Sequence, residues 1–226
     1  MTVLGKDLSQ FSLIDMLRFG ITTRITQANG YEESRDSLAH DWADFFTREF
    51  PKDIWASIPN IGSDAVRYFQ SLSLNVLILS GGDSIGETPK RDETEFALLD
   101  YALKKSIPVI AVCRGMQIVN SYFGGNILMG DQNFVSNHRA TRHEVVFEDE
   151  TILSLNSYHN NLIHEQSLSP HLSVLARCKE DNSIEAFTGR GLIGIMWHPE
   201  REMDDKNQST KLIKTFIQKS WPEELF

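Results

Sequence analysis

The chain has 226 residues, of which 41% are hydrophobic and 23% are charged, and its formal net charge is −9. This length and composition predict one globular domain over residues 1–226, with residues 1–17 as an N-terminal extension. The acidic charge excludes the basic surface that nucleic acids require, and no segment approaches the ~20 apolar residues of a membrane span, so neither nucleic acid nor membrane is expected as a partner.

The two cysteines, Cys113 and Cys178, are too few for a disulfide framework. Charged residues interrupt the apolar residues of the N-terminus, so it does not fit a secretory signal. The histidines are scattered and show no zinc-site spacing. We therefore expect a cytoplasmic protein without a cofactor and without a metal site.

Residues 1–17 are predicted to form either a short amphipathic helix or a frayed arm. Strands and helices then alternate, as hydrophobic periodicity indicates. In order, the predicted elements are strand Arg18–Thr23, helix Ser34–Phe50, strand Asp53–Ile58, helix Asp64–Leu72, strand Asn75–Leu79, helix Arg91–Lys105, a strand ending at Cys113 and a helix to about Phe123. Closely spaced strands follow at Glu144–Phe147, Thr151–Leu155, Ser173–Cys178, Ile184–Phe187 and Leu192–Trp197, before a final helix, Lys206–Lys219.

The alternation predicts an α/β fold with a mostly parallel central sheet, helices on both faces and a flavodoxin-like arrangement. The close spacing of the later strands adds a small antiparallel element in the C-terminal half.

Cys113 ends a short apolar strand and is followed by Arg114-Gly115 and a helical pattern. A thiol at such a strand–turn–helix junction projects above the sheet edge, beside the free N–H groups at the positive end of the helix. This position favours a nucleophilic thiolate, although buried structural cysteines are also common.

A second apolar strand ends at His198-Pro199-Glu200. Glu200 is close enough in sequence to fold back and orient one nitrogen of the imidazole, which a catalytic base requires. Because parallel strands of one sheet end at the same edge, we expect Cys113 and His198 to meet there. The alternative is a solvated histidine with a surface glutamate.

The segments Cys113-Arg-Gly-Met-Gln117 and His198-Pro-Glu200 resemble the class I glutamine amidotransferase family. Ser80-Gly-Gly-Asp83, Arg91-Asp92 and Asn156-Ser-Tyr-His159 are similar to its γ-glutamyl hydrolase branch, also described as peptidase C26-like. Ile21-Thr-Thr-Arg24 and Ala39-His-Asp-Trp42 resemble the γ-glutamyl-CDP-amidate hydrolases of bacterial surface-polysaccharide pathways. The short connection of residues 83–90, and Asn160-Asn161 after His159, depart from the enzymes that cleave γ-glutamyl-γ-aminobutyrate.

The resemblance implies the class I glutamine amidotransferase fold and a hydrolase that forms a glutamyl thioester on Cys113, with His198 as base and Glu200 as its orienting partner. It places an oxyanion hole at the backbone N–H groups of Gly82 and Arg114. It assigns glutamyl recognition to Gln117 and to a segment that includes Asn156, Ser157 and His159.

A local basic cluster contains Arg139 and Arg142, and Arg24 lies at the end of the first strand. Arginines bind phosphate through paired hydrogen bonds, so we expect some of the three to hold a phosphate of the leaving group. The partner would then be a small γ-glutamyl substrate. The sequence does not exclude a homo-oligomer. Three other functions also remain possible: a γ-glutamyl-γ-aminobutyrate hydrolase, a glutaminase subunit that supplies ammonia to a separate synthase, and a catalytically silent binding module.

Overall fold

A computed structural model of the chain describes residues 16–202 and 208–220. The central feature of these residues is a nine-stranded sheet in the order β4-β1-β5-β6-β13-β12-β11-β8-β9. Its strands are β1 (Arg18–Thr22), β4 (Ile54–Ile58), β5 (Val76–Leu79), β6 (Val109–Val112), β8 (Arg139–Phe147), β9 (Ile152–Tyr158), β11 (Ser173–Cys178), β12 (Ile184–Gly189) and β13 (Leu192–Ile195).

The strands from β4 to β13 in this order are parallel, and those from β13 to β9 are antiparallel. Strands β5, β6 and β13 are buried along their whole length, because helices cover both faces of the parallel half. The predicted fold class is therefore confirmed, and the antiparallel strands continue the same sheet.

The helices are α1 (His40–Glu49), α2 (Asp64–Ser71), α3 (Pro89–Lys104), α4 (Arg114–Tyr122), α5 (Gln132–His138) and α6 (Gln208–Ser220). Two small antiparallel pairs complete the fold: β2 (Arg24–Gln27) with β3 (Ser34–Ser37), and β7 (Leu128–Met129) with β10 (Asn161–Leu162). Within the described ranges, no helix is long and apolar enough to cross a bilayer.

The predicted helix Ser34–Phe50 is wrong in its first six residues. Residues 34–37 pair with β2 as a hairpin, and the helix begins only at His40. The apolar helical spacing starts at Leu38, so the polar residues before it carried no helical signal. The prediction for the N-terminal extension falls almost wholly outside the described residues, as does the start of the predicted last helix.

Candidate active site

Cys113 lies at the turn between β6 and α4, with φ 51° and ψ −104°. This left-handed backbone is costly for a residue other than glycine, by about 1–3 kcal/mol. The surroundings hold it: the N–H of Cys113 donates to the carbonyl of Ile195 at 2.7 Å. Two residues on, a Cβ at Gly115 would collide with the carbonyl oxygen of Leu79. Glycine therefore lets α4 begin directly against the end of β5, with Cys113 at its N-terminus.

His198 reaches the same edge because β13 pairs with β6, with Ile195 opposite Val112. Pro199 begins a short 3₁₀ helix, Pro199–Arg201, which returns Glu200 to the imidazole. Nδ1 of His198 lies 2.7 Å from Oε1 of Glu200, and both side chains are buried. Burial alone would lower the pKa of His198, but the charge of Glu200 and a side-chain hydrogen bond with Cys113 raise it to about 9. The imidazole therefore lies within hydrogen-bond reach of the Cys113 sulfur.

The backbone of His198 is clamped by Asn156. The Asn156 side chain accepts from the His198 N–H at 2.9 Å and donates to the His198 carbonyl at 2.8 Å. Oε1 of Glu202 in turn accepts from the Asn156 side chain at 2.7 Å. The ring of Tyr158 meets the His198 ring edge-on at 5.6 Å, and the Arg201 guanidinium lies 4.3 Å from the centroid of the Tyr158 ring. These contacts fix both the position and the plane of the base.

The loop that follows β5 passes beside the nucleophile. A Cβ at Gly81 would lie 2.6 Å from Cε1 of His198 and 3.5 Å from Cβ of Cys113. Gly82 has φ +141°, and a Cβ there would meet the Arg91 guanidinium. Arg114 is the first residue of α4, so its N–H has no acceptor within the helix. Of the two residues predicted for the oxyanion hole, Gly82 lines the same cleft as Cys113, and Arg114 directly follows Cys113 in the chain.

A buried ionic network under this loop was not predicted. Glu95 accepts from Arg91 Nε at 2.9 Å and also pairs with Arg114, and all three side chains are almost fully buried. The second terminal nitrogen of Arg91 donates to the carbonyls of Ser80 and Gly81 at 3.0 and 2.9 Å. Burial lowers the pKa of Arg114, and the carboxylate of Glu95 acts against that shift. The network therefore supports the glycine loop and the start of α4 together; the i,i+4 spacing of Arg91 and Glu95 was its only sequence signal.

Cys113 and His198 open onto a cleft of about 420 Å³. Arg24 and Arg139, two of the three arginines predicted to lie near the leaving group, line this cleft. Tyr158, from the segment predicted to recognise the glutamyl group, lines it too. Further lining residues that sequence reasoning missed are Asp83, Ser84, Glu87, Ala140, Asn160 and Arg201.

Arg142 does not reach the cleft, which corrects its expected place beside the leaving group. Its guanidinium lies 3.2 Å from both carboxylate oxygens of Glu202 and donates to the carbonyl of Ser154. The physical reason is that β8 already begins at Arg139, so Arg142 is a paired strand residue opposite Asn156 rather than part of a loop.

The predicted glutamyl-binding side chains also point away from the cleft. Ser157 donates to the His138 carbonyl at 2.6 Å, and Nε2 of His159 lies 3.3 Å from Nδ1 of His138. Residues 158 and 160 line the cleft instead, because side chains alternate along a strand. Burial lowers the pKa of His159. Gln117 is buried one turn after Cys113, with its amide 3.9 Å from the sulfur of Met196.

Comparisons with known proteins identify a family and several similar chains. The family described as Peptidase C26 matches residues 73–200. The γ-glutamyl-CDP-amidate hydrolase of Campylobacter jejuni is 35% identical over 81% of this chain and 90% of its own length. The γ-glutamyl-γ-aminobutyrate hydrolase of Escherichia coli O157:H7 is 31% identical over 60% of this chain and 63% of its own length.

The solved structures that match this fold include a glutamine amidotransferase from Thermotoga maritima. It has a TM-score of 0.59 and 14% identity, over 90% of this chain and 83% of that one. A second, from Methylobacillus flagellatus, has a TM-score of 0.56 and 16% identity, over 83% and 71% of the two chains. At these identities the likeness concerns the fold, which is that of the class I glutamine amidotransferases.

Proposed function

The chain belongs to the peptidase C26 family and is a C–N bond hydrolase, and we propose that it cleaves the γ-glutamyl amide bond of a small phosphate- or nucleotide-bearing compound, similar to a γ-glutamyl-CDP-amidate, and releases glutamate. The observation that carries this proposal is the cleft itself. One wall holds Cys113 beside a buried His198–Glu200 pair, and Arg24 and Arg139 line the same space. A nucleophile and two phosphate-binding cations therefore share one cavity.

In the proposed reaction the Cys113 thiolate attacks the γ-carbonyl carbon and forms a tetrahedral intermediate. The N–H groups of Gly82 and Arg114 donate to its oxyanion; losing one such donor typically costs on the order of 10²–10³ in rate. The imidazolium of His198 gives its proton to the leaving nitrogen as the C–N bond breaks, which leaves a glutamyl thioester. His198 then takes a proton from water, whose oxygen attacks the thioester, and glutamate leaves as the thiol re-forms. Glu200 holds the ring in place throughout.

The charges of the cleft match the two halves of the proposed substrate. Asp83 and Glu87 supply carboxylates for the α-ammonium of the glutamyl group, and Arg24 and Arg139 supply guanidinium groups for the phosphate. The side chains of Asn156, Ser157 and His159 are bonded to protein groups, so we do not assign them to glutamyl recognition. The resemblance to γ-glutamyl-CDP-amidate hydrolases implies that the phosphate-bearing product is used in polysaccharide biosynthesis and that the reaction takes place in the cytoplasm.

The first test traps the acyl-enzyme. Denaturing mass spectrometry after rapid mixing with a γ-glutamyl-CDP-amidate should show a glutamyl adduct on Cys113, and Cys113→Ala should show none while remaining folded. The same experiment is carried out with γ-glutamyl-γ-aminobutyrate and with glutamine as alternative substrates. Fast trapping with glutamine alone would contradict the proposal and indicate a glutaminase subunit.

The second test concerns the leaving group. Arg24→Gln and Arg139→Gln should each raise KM for the phosphate-bearing substrate by about 10–100-fold, since a hydrogen bond to a charged group contributes about 1.5–3 kcal/mol. KM for γ-glutamyl-γ-aminobutyrate should not change. Arg177→Gln is the matched control, because Arg177 pairs with Glu165 and does not line the cleft. An unchanged KM in both variants would contradict phosphate binding at this site.

A further inference from the structure

Three buried side chains from separate segments meet behind β9, on the side away from the cleft. His138 ends α5, His159 follows β9, and Glu185 lies on β12. Each is at most 3% exposed. The proposed hydrolysis uses none of the three. The spacing of these residues along the chain, 21 and 26 positions, does not indicate a metal site, and only the folded sheet brings them together.

The outer nitrogens of both imidazoles have acceptor partners. Nδ1 of His159 lies 2.9 Å from the carbonyl of Asn161, which can only accept, so Nδ1 carries the hydrogen. Nε2 of His138 lies 2.8 Å from a carboxylate oxygen of Asp181 and carries a hydrogen for the same reason. In the neutral rings, Nε2 of His159 and Nδ1 of His138 therefore present lone pairs. Metal-binding histidines are typically held in this way by a carboxylate or a carbonyl.

Those two lone pairs and the carboxylate of Glu185 face one another. Nδ1 of His138 and Nε2 of His159 are 3.3 Å apart, and Oε1 of Glu185 lies 4.0 Å from the first and 3.5 Å from the second. The point equidistant from these three atoms is about 2.1 Å from each, which is the bond length of Zn²⁺ to imidazole nitrogen and carboxylate oxygen. The two lone pairs and the carboxylate oxygen repel one another, and a cation at that point would be attracted to all three.

We propose that His138, His159 and Glu185 bind one divalent transition-metal ion of the Zn²⁺ type. Two imidazoles and one carboxylate suit Zn²⁺ and its neighbours in the first transition row rather than Mg²⁺ or Ca²⁺, which prefer oxygen ligands. The same three atoms lie within 4.8 Å of one another, as a shared ion requires.

His143 supplies a second observation that indicates a ligand. It is 9% exposed, neither ring nitrogen makes a well-formed hydrogen bond, and Nε2 lies 3.4 Å from Oε2 of Glu185. His138 and His143 also line a cavity of about 710 Å³ that includes the acidic side chains of Asp131 and Asp181. This cavity therefore reaches His138, one of the three proposed ligands, with the imidazole of His143 beside it.

The ion would connect the two sides of β9. His138 immediately precedes Arg139, which lines the cleft, and His159 lies between Tyr158 and Asn160, which line it too. The proposed ion thus ties the rear of this wall to β12. Its role is structural, because its ligands do not line the cleft that holds Cys113.

The test measures metal binding by the full chain. After chelation and dialysis, the protein is titrated with Zn²⁺ and, for optical detection, with Co²⁺. We expect about one ion per chain, intense visible bands of low-coordinate Co²⁺ and a higher Tm with Zn²⁺. Glu185→Gln and His159→Gln should abolish this binding. Asp181→Asn, which changes a partly exposed residue, should weaken it by about 10–100-fold without unfolding the chain.

Two controls make the result specific. His171→Gln removes an exposed histidine outside the cluster and should bind like the unaltered chain. Cys113→Ala should retain the ion, which excludes the active-site thiol as its ligand. Failure of the unaltered chain to bind any of these ions, or full binding by both Glu185→Gln and Asp181→Asn, would overturn the proposal. Neither result alters the expected thioester on Cys113, so the two proposals fail separately.

Discussion

Replacing Glu200 by glutamine removes the charge beside His198 and leaves the side-chain volume almost unchanged. The pKa of His198 is about 9, against an ordinary value of 6.5; burial opposes this rise, and Glu200 makes the largest upward contribution. Since one pKa unit corresponds to 1.36 kcal/mol, the difference is about 3 kcal/mol, or about 300-fold in the equilibrium that keeps the ring protonated. In Glu200→Gln we expect the pKa of His198 to fall to its ordinary value or below.

The assay is the pH dependence of kcat/KM, together with the rate at which a mild alkylating reagent labels Cys113. The alkaline limb of the unaltered enzyme should lie near pH 9, where His198 loses its proton. In Glu200→Gln this limb should move to pH 6.5 or lower, and kcat/KM at pH 7 should fall by about 4-fold or more, because a pKa of 6.5 leaves only about a quarter of the rings protonated. Glu165→Gln is the control, because Glu165 is exposed and pairs with Arg177. An alkaline limb that stays near pH 9 would refute the argument that Glu200 sets the charge of the ring.

Three further predictions concern the same site. Gly81→Ala places a Cβ 2.6 Å from His198 Cε1, so kcat should fall by about 10² or more with little change in Tm; an unchanged rate would contradict this packing. Glu95→Gln leaves Arg91 and Arg114 buried without their shared carboxylate and should lower the free energy of unfolding in urea by about 3–5 kcal/mol; a loss below about 1 kcal/mol would show that the network relaxes. The folded state raises the pKa of His198, so this group's stabilisation should be complete below pH 6.5 and lost as the pH rises through about 9; identical pH profiles of urea unfolding for the unaltered chain and His198→Asn would contradict it.

The proposed catalytic residues could be predicted because they are local features of strand ends. Cys113 and His198 each follow a short apolar strand, and a parallel sheet brings the ends of such strands to one edge. Glu200 is two residues from the histidine it orients, so its role needs no long-range information. The parallel half of the fold follows from the same strand–helix alternation.

The remaining features depend on burial and register, which a single sequence does not display. Arg91 and Glu95 have the spacing of an exposed ion pair on a helix, and only the packed structure shows them enclosed. Arg142 was misplaced because β8 begins at Arg139 rather than at Glu144. Along β9 and the residues after it, alternate side chains face the cleft or the buried His138. An error of one residue in the predicted register therefore assigns the wrong side chains to the cleft.

The backbone of Cys113 has a consequence for evolution and engineering. Its dihedral angles are unfavourable for every L-residue with a Cβ, so neither alanine nor serine at this position removes the conformational penalty. Glycine would remove it, but it would also remove the sulfur. The backbone conformation at this position therefore lowers the stability of the folded chain while it holds the thiol in place. A substitution chosen only to increase stability would remove the nucleophile.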